Sequence, residues 1–360
     1  MGIPGKSGLR RKFRKFFLLA WPFFLAAIVF LSSKFAISHS GLVEQYYSKG
    51  FYPLIAIFFS SISRLFPFSL WDVFWIIVIW LVISGLILIL FKKMKWVQFS
   101  IRIIQFLALG YSIFYIVWGY NYYRPGIEKR IGWAIPKADE TLFRSVLDTL
   151  ITKSNSTYVP VLTSEYNDID KLVEDSYYRN SGKLGIIYPN GTRRPKVMLL
   201  SSLYSMLGVS GYFGPFFNEV HVDYYVLPVD YPFLLGHEKA HQFGITSEAE
   251  ANLVSYIICV TSDDKRLKYS GYQSLLLYFL RDASHFKDYH DYLNKIDARV
   301  LKDLKFRQKY YENLESNYLS DMQTKANDTY LKVNNIEKGV KNYNQVVSLV
   351  ISWYYNSKNN

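Results

Sequence analysis

Three stretches of the chain run without a charged residue for about the length of a membrane crossing: residues 16–33, 73–91 and 103–123, of 18, 19 and 21 residues. A helix needs about 20 apolar residues to cross a bilayer. Trp and Tyr gather at their ends (Trp71, Trp75, Trp118, Tyr120, Tyr122, Tyr123), as amphipathic rings do at a membrane–water interface. A fourth apolar stretch, residues 50–63, has only 14 uncharged residues. It predicts an interfacial or re-entrant helix between the first two spans. A basic run at residues 10–15 precedes the first span, as in a signal peptide, although a signal peptide's apolar core is usually shorter. Either reading delivers the following chain to the same side.

Beyond residue 125 the pattern changes. Apolar residues recur every three or four positions over residues 141–153 and 274–314, which predicts amphipathic helices. PKVMLLSSL and NEVHVDYYVL look like short strands, with turn signals at Asn190-Gly191 and from Gly211 to Pro215. The fold class expected is mainly α. Three N-terminal transmembrane helices occupy residues 1–124, followed over residues 125–360 by a mostly helical α+β domain with a small sheet.

Charge sharpens the membrane reading. The chain carries 42 Lys and Arg against 29 Asp and Glu. Residues 1–127 hold 14 of the basic residues and only two acids, Glu44 and Asp72. The excess lies beside apolar segments, so it speaks for topology and against nucleic-acid binding. Basic clusters at residues 6–15 and 92–102 belong on the cytoplasmic side. This gives a multi-pass protein of a bacterial cell membrane with a cytoplasmic N-terminus and an extracytoplasmic second half. With half of its residues apolar, the chain is not intrinsically disordered. The single cysteine, Cys259, excludes an internal disulfide and a Cys-based zinc cluster, and its apolar surroundings predict burial.

The chemistry concentrates in LLGHEKAHQFGITSEAEANLVSY. His237-Glu238-Lys239-Ala240-His241 is an HExxH pattern. On a helix, residues i and i+4 share a face, so both imidazoles can reach one cation, and such a pair suits zinc. Glu238 stands one position on, placed to take a proton from a water polarised by that cation. Asp230 and Pro232 supply a helix start and Gly244 a stop, predicting a helix over residues 232–243. Ser247-x-x-Glu250 has the form of a capping box that opens a second helix. Glu248 and Glu250 lie two residues, or roughly 200°, apart on that helix, so only one can face the metal. Glu248 is expected as the third ligand, Asn252 on its face as a hydrogen-bond partner of a ligand histidine, and Glu250 as the cap. Both glutamates acting purely at the helix start is the alternative.

Upstream, Glu219, His221, Asp223 and Tyr225 alternate with Val220, Val222 and Tyr224. This predicts a half-exposed strand, read either as an edge that binds substrate by strand addition or as a plain sheet strand. His221 is a weaker ligand candidate. His285 and His290 lie on a charged helical stretch and are expected in solvent. Tyr330 and Tyr343 are candidate transition-state stabilisers.

HExxH with Glu248 and Asn252 on the next helix resembles the gluzincin arrangement of zinc metallopeptidases such as thermolysin-like enzymes. More closely, HEKAHQFG, EAEAN, GYFGPFFNEVHV and the C-terminal NDTYLKVNNIEKGVKNYNQVVSLVISWYY resemble an uncharacterised bacterial membrane family, the domain of unknown function 3810. The resemblance implies a zincin-like domain and a zinc-dependent hydrolase with one Zn²⁺, and it supplies no substrate; the leading reading is a membrane-anchored peptidase acting on a peptide or protein substrate beside the lipid bilayer. An inactive metallopeptidase-like binding or assembly module is the alternative. The intact Glu238 speaks against that alternative.

Overall fold

The computed structural model describes residues 6–136, 139–160, 166–334 and 345–359. Among the described residues, helix α1 (Lys6–Ser38), α4 (Leu70–Leu90) and α5 (Trp96–Val117) are the three helices long and apolar enough to cross a membrane. The third begins earlier and ends earlier than its uncharged stretch. It runs through Arg102, because a charge interrupts hydropathy without interrupting backbone hydrogen bonding, and a long side chain can carry its head to water. It stops where Gly119 lies so close to the Phe114 ring that an added Cβ would sit 2.8 Å from it. The chain then tightens into a 3₁₀ turn, Gly119–Tyr123.

Between α1 and α4, the short α2 (Ser40–Leu42) and a π-helical stretch, Val43–Phe51, lead into α3 (Tyr52–Ser63). This is the segment expected to be interfacial. Tyr52, Ile55 and Ala56 of α3 pack with Val117 and Trp118 at the end of α5. Ser69 caps α4 by accepting from Asp72 N at 2.9 Å.

After α6 (Ile127–Ile131) come α7 (Glu140–Thr157) and α8 (Tyr166–Asn180), then β1 (Lys196–Val197), α9 (Ser201–Met206), β2 (Gly211–Gly214) and β3 (Glu219–Val222). Next are α10 (Tyr231–Gln242), α11 (Glu248–Val260), α12 (Lys265–Ala283), α13 (Tyr289–Asn294), α14 (Ala298–Leu314), α15 (Asn317–Val333) and α16 (Val346–Asn359). The long helical stretch after residue 274 is thus three helices, with Asp297 capping α14 by accepting from Arg299 N. Every residue of α11 from Ala249 to Val260 is buried. It is the central helix, wrapped by α10, α12 and α16, rather than one with a single apolar face. Close approach is built in: a Cβ on Gly236 would meet Ser255 Oγ at 2.5 Å, and one on Gly271 would meet Cys259 Cβ at 2.7 Å. Cys259 is fully buried, as expected.

The sheet has the order β1-β3-β2, with β1 parallel and β2 antiparallel to β3. Two sequence expectations change here. PKVMLLSSL is strand only at Lys196–Val197 and then turns helical. The glycine-rich Gly211–Gly214, expected as a turn, is strand. Its glycines serve close approach: a Cβ on Gly211 would lie 2.8 Å from Glu238 Oε1. The reversal to β3 follows at residues 215–218, where Asn218 takes φ 53.

One buried ion cluster fixes the motif helix in the core. Lys239, between the two motif histidines, points away from them and is fully buried. It meets Glu174 at 2.7 Å and Asp170 at 2.9 Å, both on α8. Arg193 also reaches Glu174. Burial pushes the Glu174 carboxyl up, but Lys239 and Arg193 outweigh it and hold it down at about 2.

Candidate metal centre

The two histidines project one turn apart from α10, and Glu248 enters from the start of α11. Gly244, at φ 83, makes the reversal between the helices. The Nε2 atoms of His237 and His241 lie 3.1 Å apart. Glu248 Oε2 lies 3.1 Å from His237 Nε2 and 3.7 Å from His241 Nε2. All three ligand atoms fall within 4.8 Å of one another. The other ring nitrogens are already engaged. His237 Nδ1 faces Asn252 Oδ1 at 2.9 Å and His241 Nδ1 faces the Ile245 carbonyl at 2.7 Å. Those acceptors place a proton on each Nδ1, so both Nε2 lone pairs point to the shared point. Two Zn–N bonds of about 2.0–2.1 Å at a tetrahedral angle separate their nitrogens by roughly 3.3 Å. The donor set of two neutral imidazoles and one carboxylate, with engaged outer nitrogens, fits a three-ligand zinc site with an open position.

Electrostatics favour positive charge at this point. Burial disfavours a charged His241, yet the Glu248 carboxylate more than offsets it and raises the imidazole to about 9. Burial likewise opposes ionisation of Glu248, but His241 and His237 together hold its carboxyl far below the usual range.

Glu238 lines the cleft beside the triad. Its residue is 4% exposed, and burial is the main influence that raises its carboxyl above the ordinary value. Asn252 also bonds Tyr278 through Nδ2, at 3.5 Å. Tyr278, Tyr122 and Tyr330 line the same cleft, with Tyr122 donating to the Tyr330 hydroxyl at 3.0 Å. Tyr343 lies outside the described residues.

The substrate-strand expectation for β3 is corrected. β3 is the central strand, and Glu219, His221 and Asp223 are buried. Glu219 accepts from Ser63 Oγ at 2.6 Å and from the Leu70 and Trp71 amides. His221 bonds Ser69 at 2.8 Å, and Asp223 accepts from Ser205 Oγ. These polar residues alternate because they tie the sheet to the 63–71 connection and to α9. Period-two alternation cannot distinguish a solvated face from a buried polar one. None of the three reaches the triad, so His221 is not a ligand. β1 and β2 are the two outer strands, and of these β2 lines the cleft. Only the positioning of Gly211 against Glu238 reveals its place. His285 and His290 are exposed.

The expectation of Glu250 as the cap is corrected: Ser247 is the cap of α11, its Oγ accepting from the amide of Glu250. The Glu250 carboxylate pairs with Arg130 at 2.8 Å and accepts from Ile127 N at 3.0 Å. It thus clamps the segment leaving the third apolar helix onto α11. The Arg130 side chain is 2% exposed, and breaking a buried pair from one side costs about 3–5 kcal/mol. Glu250→Ala is expected to lose that much in thermal or denaturant unfolding while each folded molecule keeps its metal. A loss of about 1 kcal/mol, the scale of a cap alone, would contradict the clamp.

The chain belongs to a family described as a protein of unknown function (DUF3810), which matches it over residues 47–351. Neither the curated proteins nor the solved structures contain a match.

Proposed function

We propose that this protein is a membrane-anchored, zinc-dependent peptidase. The observation that carries the reading is the convergence of His237, His241 and Glu248 on one point, with Glu238 beside it and both outer imidazole nitrogens engaged. His237, His241 and Glu248 would hold the ion. Bound there, zinc would supply Lewis-acid polarisation and lower the pKa of a water. Glu238 would accept the proton, burial having raised the proton affinity of its carboxyl. Asn252 and the Ile245 carbonyl fix the two imidazoles in the tautomer that presents Nε2. β2, an outer strand of the sheet, runs past Glu238, and an extended peptide would add to it as a strand. The test is metal analysis of the purified protein together with cleavage of an unbiased peptide library. One zinc per chain and zinc-dependent cleavage are expected. A metal-free protein or an inert one would leave an inactive binding module as the better reading.

We infer further that residues 1–15 and 92–102 face the cytoplasm and the peptidase half faces outward, from the basic clusters beside the apolar helices. Alkaline phosphatase fused after residue 360 should be active. An inactive fusion there, with an active cytoplasmic reporter at the same point, would reverse the orientation.

A further inference from the structure

We propose that the substrate is a polypeptide anchored in the bilayer, cut within about six residues of the membrane surface on the side that carries the peptidase half. This deepens the peptidase reading and rests on it.

The first observation is how α10 stands. Its C-terminal end is docked on the membrane half: Trp118 Nε1 donates to the His241 carbonyl at 2.9 Å, Tyr52 to that of Gln242 at 2.7 Å, and Arg124 to that of Gly244 at 2.8 Å. Its N-terminal end is held by α14, through Arg307 and Tyr311 to Asp230, each at 2.9 Å. Twelve residues at 1.5 Å each make the helix about 18 Å long. The axis therefore runs away from the ends of the apolar helices, with both motif histidines in its membrane-proximal half.

The second observation is the course of β2. It starts beside Gly208, near Glu315 and Ser320, passes Glu238 at Gly211, and reaches Trp118 with Phe213, ring centroids 5.5 Å apart. It then runs onto α4: Phe216 lies 5.4 Å from Trp71 and 5.9 Å from Phe74, and Phe217 lies 6.0 Å from Phe74. Phe74 in turn stacks on Phe106 of α5 at 6.3 Å. At about 3.3 Å per residue, the five steps from Gly211 to Phe216 cover at most about 17 Å. The strand that borders the catalytic carboxylate ends against the apolar helices.

The third observation is the change of chemistry along the cleft. Arg307, Gln308 and Glu315 line the end away from the membrane, whereas Trp118, Tyr122 and Pro215 line the near end. A peptide paired along β2 leaves the near end over aromatic rings and onto the outer surfaces of α4 and α5. A soluble peptide would lose hydration of its backbone there without replacement. A segment continuing into an apolar anchor would pass from rings to lipid.

The experiment uses the full-length, zinc-loaded protein in liposomes. One random peptide library is supplied either free or fused to a single apolar helix through spacers of about 2 to about 20 residues. Anchored peptides should be cut at least about tenfold faster than free ones, a gain within reach of tethering. Cutting should fall away once the bond lies more than about six residues, roughly 20 Å, from the anchor. Equal cutting of free peptides would overturn the proposal and leave the peptidase reading intact. A rate independent of spacer length would also overturn it, since that is confinement to one membrane without a built path. If neither format is cut, or Glu238→Gln cuts as well as the natural chain, the peptidase reading itself falls and the proposal with it.

Discussion

Glu238→Gln is expected to keep its zinc and to lose peptide hydrolysis by about 10²–10⁴-fold, the usual loss when a positioned base is removed. The substitution is nearly isosteric, and Glu238 is not among the three groups whose ligand atoms converge. Its side chain contacts the backbone of β2 at Gly211, so the amide preserves the fit of strand against helix. What changes is the capacity to accept a proton. The carboxyl lies deep enough for burial to raise its proton affinity and still opens to the cleft. Zinc content and the initial rate on the best-cleaved library peptide would be measured on the same preparation. Full activity with zinc retained would remove Glu238 from the reaction. Zinc lost along with activity would recast it as part of the metal site.

Glu248→Ala is expected to abolish stoichiometric zinc binding, as are His237→Ala and His241→Ala, because catalytic zinc typically takes three protein ligands. Glu248 carries the only carboxylate within 4.8 Å of both Nε2 atoms among the described residues. Without it the two imidazoles lose the charge that favours a cation between them. The contrast with Glu250→Ala decides the assignment, since that variant should lose stability and keep metal. Zinc per chain by elemental mass spectrometry, beside a far-ultraviolet circular dichroism spectrum, separates loss of ligand from loss of fold. A folded Glu248→Ala protein holding one zinc, or a Glu250→Ala protein folded but metal-free, would exchange the two roles.

Local periodicity and charge carried much of this far. The three long apolar helices, the helix of the HExxH pattern and the Ser247 start of α11 depend on neighbours in the chain, so the sequence alone determined them. The same holds for His237 and His241 on one face, because a four-residue step on a helix fixes it. The two-residue step also sufficed to send Glu248 and Glu250 to different surroundings.

Other features were decided only when distant segments met. Glu219, His221 and Asp223 alternate like a solvated strand face, yet β3 lies between β1 and β2 and these side chains are buried against Ser63, Ser69 and Ser205. Gly211 reads as a turn until the backbone of β2 is laid against Glu238. Glu250 reads as a cap until Arg130, 120 residues away in sequence, arrives beside it. Nor does any spacing announce that Tyr52 and Trp118 grip the end of the motif helix, 190 and 123 residues away. Which residues share a helix face follows from the 3.6-residue repeat and needs no knowledge of the partners. Which strand borders the cleft, which polar groups are buried and which end of the cleft meets the apolar helices depend on what packs across the gap, and so could be read only from the folded chain.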